Sequence, residues 1–341
     1  MSELAPERFL PLPTRLLRFG LGLAVIVLLQ QFVLPGINPY FARILILAEI
    51  NVILAVSLNL INGFAGQFSL GHAGFMAIGG YVSAAFAVSA GPAVLAVLGA
   101  SPEAPGPAPS FIVLCLGLIL GALVAAITGL LIGIPTLRLK GDYLAIATLG
   151  FGEIIRVVIQ NTEAVGGARG FINIPTYAGF FAVTLFMVLT LAVHWNLVHS
   201  RHGRALLAVR EDEIAAEAMG VPTTRYKVLA FSIGAAFAGV GGSLFAHYNG
   251  GLHPNTFTFL KSIEVVIMVV LGGMGSITGS ILAALLLTAM PELLRPIKEY
   301  RMVIYSLLLI VLMITRPQGI FGLGEFDPAR LLWWRRARGA R

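Results

Sequence analysis

Residues 110–134 read SFIVLCLGLILGALVAAITGLLIGI, an uninterrupted run of 25 residues without a charged side chain. An α-helix needs about 20 mainly apolar residues to cross the hydrocarbon core of a bilayer. A strand of a membrane barrel would instead alternate apolar and polar residues, and this run does not alternate. The run therefore predicts a transmembrane α-helix.

The composition of the whole chain agrees with such a helix. Of its 341 residues, 57% are hydrophobic and only 11% are charged, and the mean hydropathy is +0.90. A soluble domain keeps about a quarter of its residues charged, so lipid is the expected solvent here. We predict an all-α integral membrane protein, one domain over residues 1–341, with about ten transmembrane helices. The predicted spans are 16–34, 43–61, 72–90, 110–134, 143–161, 178–198, 228–247, 261–275, 279–294 and 301–315.

The distribution of basic residues predicts the orientation of these spans. Lys and Arg lie in short clusters between apolar runs, which is typical of cytoplasmic loops. This rule places both termini, the polar segment 199–227 and the basic tail 323–341 in the cytoplasm. The basic residues within 295–301 would lie outside the cytoplasm in this scheme, contrary to the rule. Fusing 261–294 into one span would move them to the cytoplasmic side, but would move the basic tail to the opposite side. The net charge of +7 does not indicate nucleic acid, because no basic stripe lies on a soluble face.

Ten spans divide into two halves of five, and an odd number of spans per half gives the halves opposite orientations. Inverted repeats of this kind are common among transporters. We therefore predict two inverted five-helix halves.

Two glycine-rich interruptions, at 62–71 and 271–279, break the apolar pattern. Glycine runs at membrane depth free backbone groups, which protein or a water-filled path must then satisfy. The alternative is that these glycines only allow helices to pack closely, and the pattern leaves both explanations open. The residues we predict to line a translocation path are Asn59, Gly66, Gln67, Ser69, His72, Gly272, Gly273 and Gly275.

Four charged residues fall within or near predicted spans: Glu49, Glu153, Arg156 and Glu264. A charge at the bilayer centre costs at least ~2.5–3.5 kcal/mol, so each is expected to face protein or water. Glu153 and Arg156 are three residues apart on one helix face and can pair. Such a pair either fixes helix packing or belongs to the path.

The sequence predicts neither an enzyme nor a bound cofactor. It contains no phosphate-binding G-x-x-x-x-G-K-[ST] loop and no His/Cys cluster with metal-ligand spacing. The single cysteine, Cys115, cannot form an intrachain disulfide and is expected to be a small core residue. If transport uses ATP, the nucleotide must bind another polypeptide.

The polar segment 199–227 contains VREDEIAAEAMG at 209–220, good helix formers closed by Gly220 and Pro222. This pattern predicts one short helix of about three turns, too polar to cross the membrane. The helix is either a solvated loop helix or a docking helix for a cytoplasmic partner.

Resemblance favours docking. EIAAEAMG at 213–220 resembles the E-A-A-x-x-x-G coupling segment of permeases in ATP-binding-cassette (ABC) importers, with Glu-Ile-Ala-Ala where that pattern has Glu-Ala-Ala. GFAGQFSLGHAGFMAIGGY at 63–81, TLRLKGDYLAIATLGFGEIIR at 136–156 and TRPQGIFG at 315–322 resemble branched-chain amino acid permeases. The last two, with GGARG at 166–170, resemble the LivM type rather than the LivH type.

The resemblance implies a permease subunit in a bacterial inner membrane, in contact with lipid. Its implied partners are a LivH-type permease, two ATP-binding subunits that hold ATP and Mg, and a periplasmic or surface solute-binding protein. No cofactor is implied in this chain. The implied ATPase-coupling residues are Arg210, Glu211, Asp212, Glu213, Ala215, Ala216, Glu217 and Gly220.

Two other functions stay open. Similar permeases carry urea, short amides or other amino acids, so the family resemblance does not fix the solute. An ion-coupled secondary transporter or channel would work without partner subunits, and the coupling segment argues against it.

Overall fold

A computed structural model describes residues 38–294, apart from 102, 103, 137, 138 and 140, together with isolated positions 36, 306, 307, 310, 315 and 319. The predicted span 16–34, most of the span 301–315, the basic cluster within 295–301 and the tail 323–341 lie outside the described residues. The described part is helical.

The described chain forms eleven α-helices, with three short 3-10 turns at 163–165, 167–169 and 254–257. They are α1 Pro39–Asn59, α2 His72–Ser89, α3 Gly91–Val97, α4 Pro107–Thr136, α5 Asp142–Gln160, α6 Phe180–Val198, α7 Arg201–Glu211, α8 Glu213–Ala218, α9 Thr223–Asn249, α10 Phe259–Gly272 and α11 Ile277–Leu293.

Within the described residues, five segments are long and apolar enough to cross a membrane, and α11 is a shorter apolar helix. The five are Pro39–Phe64, His72–Ser89, Pro107–Thr136, Phe180–Val198 and Thr223–Asn249. The prediction of an all-helical membrane protein is confirmed. Each of the eight predicted spans between 43 and 294 overlaps one α-helix, and α10 and α11 are separate helices. The total of ten spans and the inverted halves stay predictions.

Helix α1 is the centre of the bundle. Asn38 caps its start by accepting a hydrogen bond from the Tyr40 N–H at 3.0 Å, and Pro39 occupies the first turn. The helix packs against α6, α9, α10 and α11, and 83% of the residues in its most apolar part are buried. The corresponding figure for α4 is 33%, so α4 presents most of its apolar surface outward, to lipid or another subunit.

Helices α2 and α9 cross at very close range, and the crossing depends on glycine. A Cβ added at Gly79 would lie 2.2 Å from the Gly239 Cα atom, and one at Gly242 would lie 1.9 Å from the Met76 carbonyl oxygen. Small residues let helix backbones approach closely in membranes, where no hydrophobic effect drives helices together. This contact fixes α2 on α9, and α4 packs across both.

Candidate functional site

The two predicted glycine interruptions lie against each other, at the end of the bundle that also carries segment 199–227. Asn59 joins them: its Oδ1 atom accepts the Gly275 N–H at 2.8 Å, and its Nδ2 atom donates to the Ser276 carbonyl at 2.9 Å. A Cβ added at Gly63 would lie 2.4 Å from the Gly275 nitrogen. We call this contact of the two turns, formed by Asn59, Gly63, Gly66, Gly275 and Ser276, the glycine junction.

A π-helical turn at Leu60–Phe64 widens the end of α1 at this junction. The Ala65 N–H donates to the Leu60 carbonyl at 3.0 Å, and Gly66 then reverses the chain with a φ of +67°. A left-handed φ of this size suits glycine and is strained for most other residues. Single π-turns occur frequently at functional sites.

Arg210, a predicted coupling residue at the end of α7, reaches into the glycine junction. Its Nη1 atom donates a hydrogen bond to the Gly63 carbonyl at 2.8 Å. A Cβ added at Gly66 would lie 3.0 Å from the Arg210 Cγ atom, and one at Gly275 would lie 2.6 Å from Nη1. One predicted coupling residue, Arg210, therefore meets three predicted path residues, Asn59, Gly66 and Gly275, at one place.

The prediction of one helix of about three turns over 209–220 is wrong, because the segment belongs to two helices. Asp212 is extended, with φ −155° and ψ 110°, and separates α7 from α8. Its carboxylate accepts the N–H groups of Ile214 at 2.9 Å and Ala215 at 3.0 Å. Aspartate is among the strongest N-caps, so it starts a new helix here instead of continuing the old one. The predicted stop at Gly220, whose φ is +82°, is confirmed.

Two predicted coupling residues fasten α8 to the beginning of α9. The Glu213 carboxylate pairs with the Lys227 ammonium at 2.5 Å, and the Glu217 Oε1 atom accepts the Thr223 hydroxyl at 2.6 Å. Ala216, a residue of the same short helix, is buried. These contacts hold α8 on a transmembrane helix.

The other side of α8 is apolar and open. Ile214 is 77% exposed, and Met219, just after the helix, is 84% exposed. The predicted coupling residues Glu211, Asp212, Ala215 and Gly220 are also exposed. Exposed apolar side chains rimmed by polar residues are typical of a docking surface. We call Ile214, Ala215, Met219 and Gly220 the docking face.

A second junction holds the beginning of α2 within the bundle. The Leu70 N–H donates to the Thr148 Oγ1 atom on α5 at 3.0 Å, and the Ala73 N–H donates to the Ser262 Oγ atom on α10 at 3.0 Å. Helix starts leave backbone N–H groups without partners inside their own helix, and in lipid those groups need protein partners. Side chains from α5 and α10 supply them.

The predicted Glu153–Arg156 pair forms and also holds the beginning of α10. Glu153 Oε2 accepts the Arg156 Nε–H at 2.7 Å, while Oε1 accepts the Phe259 N–H at 3.2 Å. A carboxylate at a helix start is favoured by the helix dipole. The pair therefore fixes helix packing, one of the two roles expected from the sequence. Between the starts of α2 and α10 lies a cavity of about 10 Å³, enough for about one water molecule.

The predicted path residues Gln67, Ser69 and His72 are 4%, 0% and 1% exposed. The Asn62 side chain accepts the Ser69 N–H at 3.1 Å, and His72 Nε2 lies 2.9 Å from the Ser57 hydroxyl. Within the described residues, the Gln67 amide, the Ser69 hydroxyl and His72 Nδ1 have no hydrogen-bond partner. Unpaired buried polar atoms are rare in proteins, so this segment has hydrogen-bonding capacity left for water or solute.

The predicted path glycines of the second interruption have two different roles. Gly272 packs on Gly279, where an added Cβ would lie 2.5 Å from the carbonyl carbon, so it allows α10 and α11 to pack closely. Gly273 and Gly275 form the turn, with φ of +105° and +91°. Gly272 therefore serves close helix packing, one of the two explanations that the sequence left open. Gly273 and Gly275 form irregular backbone, which is the other explanation.

The other two charged residues expected to face protein or water, Glu49 and Glu264, both have protein partners. The Thr184 hydroxyl lies 3.0 and 2.9 Å from the two carboxylate oxygens of Glu49 and can donate to either. Glu264 pairs with the Lys261 ammonium at 3.1 Å, and that ammonium also donates to the Asn51 Oδ1 atom at 3.1 Å.

The connection at 250–258, which the predicted spans 228–247 and 261–275 leave between them, makes contacts that the sequence did not predict. Phe171 and Leu252 form an antiparallel bridge with hydrogen bonds of 2.7 and 2.8 Å, and His247 Nδ1 donates to the Pro175 carbonyl at 2.8 Å. These contacts fasten the connection between α5 and α6 to the end of α9 and to the α9–α10 connection. The turn itself is indicated in the sequence by NGGLHPNT at 249–256, which is rich in turn-forming residues.

The chain matches, over residues 40–314, the family described as the permease component of branched-chain amino acid transport systems. The chain belongs to this permease family. Family membership and the apolar helices make it a multi-pass membrane protein.

Relatives in this permease family include both subunit types. The high-affinity branched-chain amino acid permease LivM of Salmonella typhimurium is 40% identical over 306 residues, which cover 80% of this chain and 67% of that protein. LivM of Escherichia coli is 39% identical over 309 residues, covering 80% and 68%. LivH of Salmonella typhimurium is 27% identical over 297 residues, covering 81% and 92%. No solved structure matches the chain.

Proposed function

We propose that the chain is the LivM-type permease subunit of an ABC importer for branched-chain amino acids, with Leu, Ile and Val as solutes. The observation that carries the proposal is the docking face, which is exposed on one side and held to α9 on the other. An apolar helix held on a span is suited to receive a partner and to pass on its movement. The match to the permease family supports the same function.

The proposed assembly contains a LivH-type permease, two ATP-binding subunits with ATP and Mg, and a periplasmic or surface solute-binding protein. The chain lies in a bacterial inner membrane with ten spans, two inverted halves and cytoplasmic termini. The segment 199–227 then faces the ATP-binding subunits. Exposed apolar side chains of α4 and α5, such as Ile119 and Ile146, face lipid or the second permease.

In the proposed mechanism, ATP binding draws the ATP-binding subunits together and moves the docking face. The Glu213–Lys227 ion pair passes this movement to α9. The path between the two permeases then alternates between outward and inward access. The binding protein selects the solute, so the path needs no charge pair dedicated to a zwitterion.

Co-purification of the tagged chain in mild detergent tests this proposal. We expect a second permease and two ATP-binding polypeptides to co-purify, and Ile214→Arg and Met219→Arg to remove the ATP-binding polypeptides. Both side chains are exposed, so the fold should survive. Ile172→Arg, at an exposed apolar position on the connection between α5 and α6, is the matched control and should keep the complex.

A lone polypeptide that moves solute down a proton or sodium gradient would contradict the proposal and favour the secondary transporter. A purified complex that transports urea or short amides, and not Leu, would instead support the alternative solutes within the same importer class.

A further inference from the structure

Arg210 belongs to the coupling segment by sequence, but its side chain does not lie on the docking face. The guanidinium extends inward from α7 and donates to the Gly63 carbonyl at 2.8 Å. The side chain is 22% exposed, whereas that of the adjacent Glu211 is 77% exposed. Docking alone does not explain an inward arginine.

The junction is shaped around this arginine from both sides. The Cγ end of the side chain lies against Gly66 and the Nη1 end lies against Gly275, where added Cβ atoms would lie 3.0 and 2.6 Å away. These two glycines come from turns more than 200 residues apart in sequence. Each provides the space that the arginine fills.

The closest partner of the guanidinium is a backbone carbonyl, that of Gly63, rather than a carboxylate. Among the described residues, Arg210 also makes a longer ion-pair contact with the exposed Glu211, at 3.8 Å from Nε. A charged donor bound to a carbonyl makes a stronger hydrogen bond than a neutral one. The planar fork of arginine also restricts where the partner backbone can lie.

The two turns are themselves joined. Asn59 holds the Gly275 N–H and the Ser276 carbonyl, so the end of α1 and the α10–α11 turn form one body. On the other side, Leu206 and Val209 of α7 are buried against the bundle. A displacement of α7 therefore acts on both turns through one side chain.

We propose that Arg210 is the positioning residue that transmits movement of the docking segment to the glycine junction, and so to the inner ends of α1, α10 and α11. This inference rests on the proposed function, because it assigns a route by which an ATP-driven movement reaches the path. Arg210 itself binds neither solute nor nucleotide.

The test uses the complete importer, with its binding protein, reconstituted in liposomes. The variants are Arg210→Gln and Arg210→Lys, and Arg204→Gln is the control because Arg204 is exposed on the same helix. We measure solute transported per ATP hydrolysed and the ATP hydrolysis stimulated by loaded binding protein. For Arg210→Gln we expect the transport-to-hydrolysis ratio to fall about tenfold, with the complex still assembled. Arg210→Lys keeps one donor and should lose less.

A spectroscopic readout separates transmission from simple stability. Spin labels at Met274→Cys beside the junction and Ile119→Cys on α4, both exposed, report the distance between turn and span after Cys115→Ser. With the Arg210 side chain intact, trapping the ATP-bound state should change this distance. In Arg210→Gln the change should disappear while ATP is still bound.

Each outcome decides the inference. A wild-type ratio and a wild-type distance change in Arg210→Gln would overturn it. If Arg210→Gln fails to assemble, Arg210→Lys decides the inference. A wild-type transport-to-hydrolysis ratio in Arg210→Lys, together with a wild-type ratio in Gly275→Ala, would overturn it. Absence of ATP-driven transport in the unaltered complex would instead contradict the proposed function.

Discussion

Replacing Asn59 by alanine should destabilise the glycine junction by an amount that its contacts define. Two hydrogen bonds are lost, one from the Gly275 N–H at 2.8 Å and one to the Ser276 carbonyl at 2.9 Å. Each contributes about 1 ± 0.5 kcal/mol net. The Ser276 carbonyl keeps the Ser280 N–H at 3.2 Å, so it is not left without a partner. We therefore expect a loss of about 2 kcal/mol in the free energy of unfolding.

The assay is titration of the purified protein with SDS in mixed micelles, followed by circular dichroism. Asn249→Ala is the matched control, because that exposed side chain donates to the Phe245 carbonyl within its own helix, at 3.2 Å. We expect the control to lose less than about 0.5 kcal/mol, as exposed substitutions usually do. Equal values for the two variants would show that Asn59 does not hold the two turns together.

Three further predictions concern other contacts. Glu153→Ala should lower the free energy of unfolding by about 1–2 kcal/mol in the same titration, because the Phe259 N–H loses its acceptor, and Glu153→Gln should lose less. Gly79→Leu should abolish monodisperse protein on gel filtration, since no side chain fits that crossing, whereas Gly150→Ala, with open space around it, should behave as wild type. Asp212→Ala should cost α8 about 1 kcal/mol of capping and speed amide hydrogen exchange at its start about fivefold, and unchanged exchange would contradict the cap.

The transmembrane helices could be predicted from sequence because their signal is local. A run such as 110–134 predicts a helix without reference to the rest of the chain, because its backbone groups pair within the helix. The pairing of Glu153 with Arg156 was predictable for the same reason, as both lie on one helix. The capping of α10 by Glu153 was not, because its partner is 106 residues away.

The contacts between distant turns could be identified only from the structure. The glycines at 62–71 and 271–279 indicated irregular backbone, but the sequence could not show that the two turns touch or that Arg210 enters between them. The break at Asp212 was missed because aspartate also occurs within helices, and the hydrogen bonds that decide the matter depend on the local backbone. Two chain breaks of similar composition thus proved to be partners rather than separate features.

Helix α5 supplies the acceptors for two helix starts, through Thr148 for α2 and Glu153 for α10. During synthesis, the Leu70 N–H is made 78 residues before its acceptor. We therefore expect the beginning of α2 to reach its final hydrogen bonding only after α5 has been made. The first turn of α2 thus depends on a helix that is synthesised after it, so its packing is completed late.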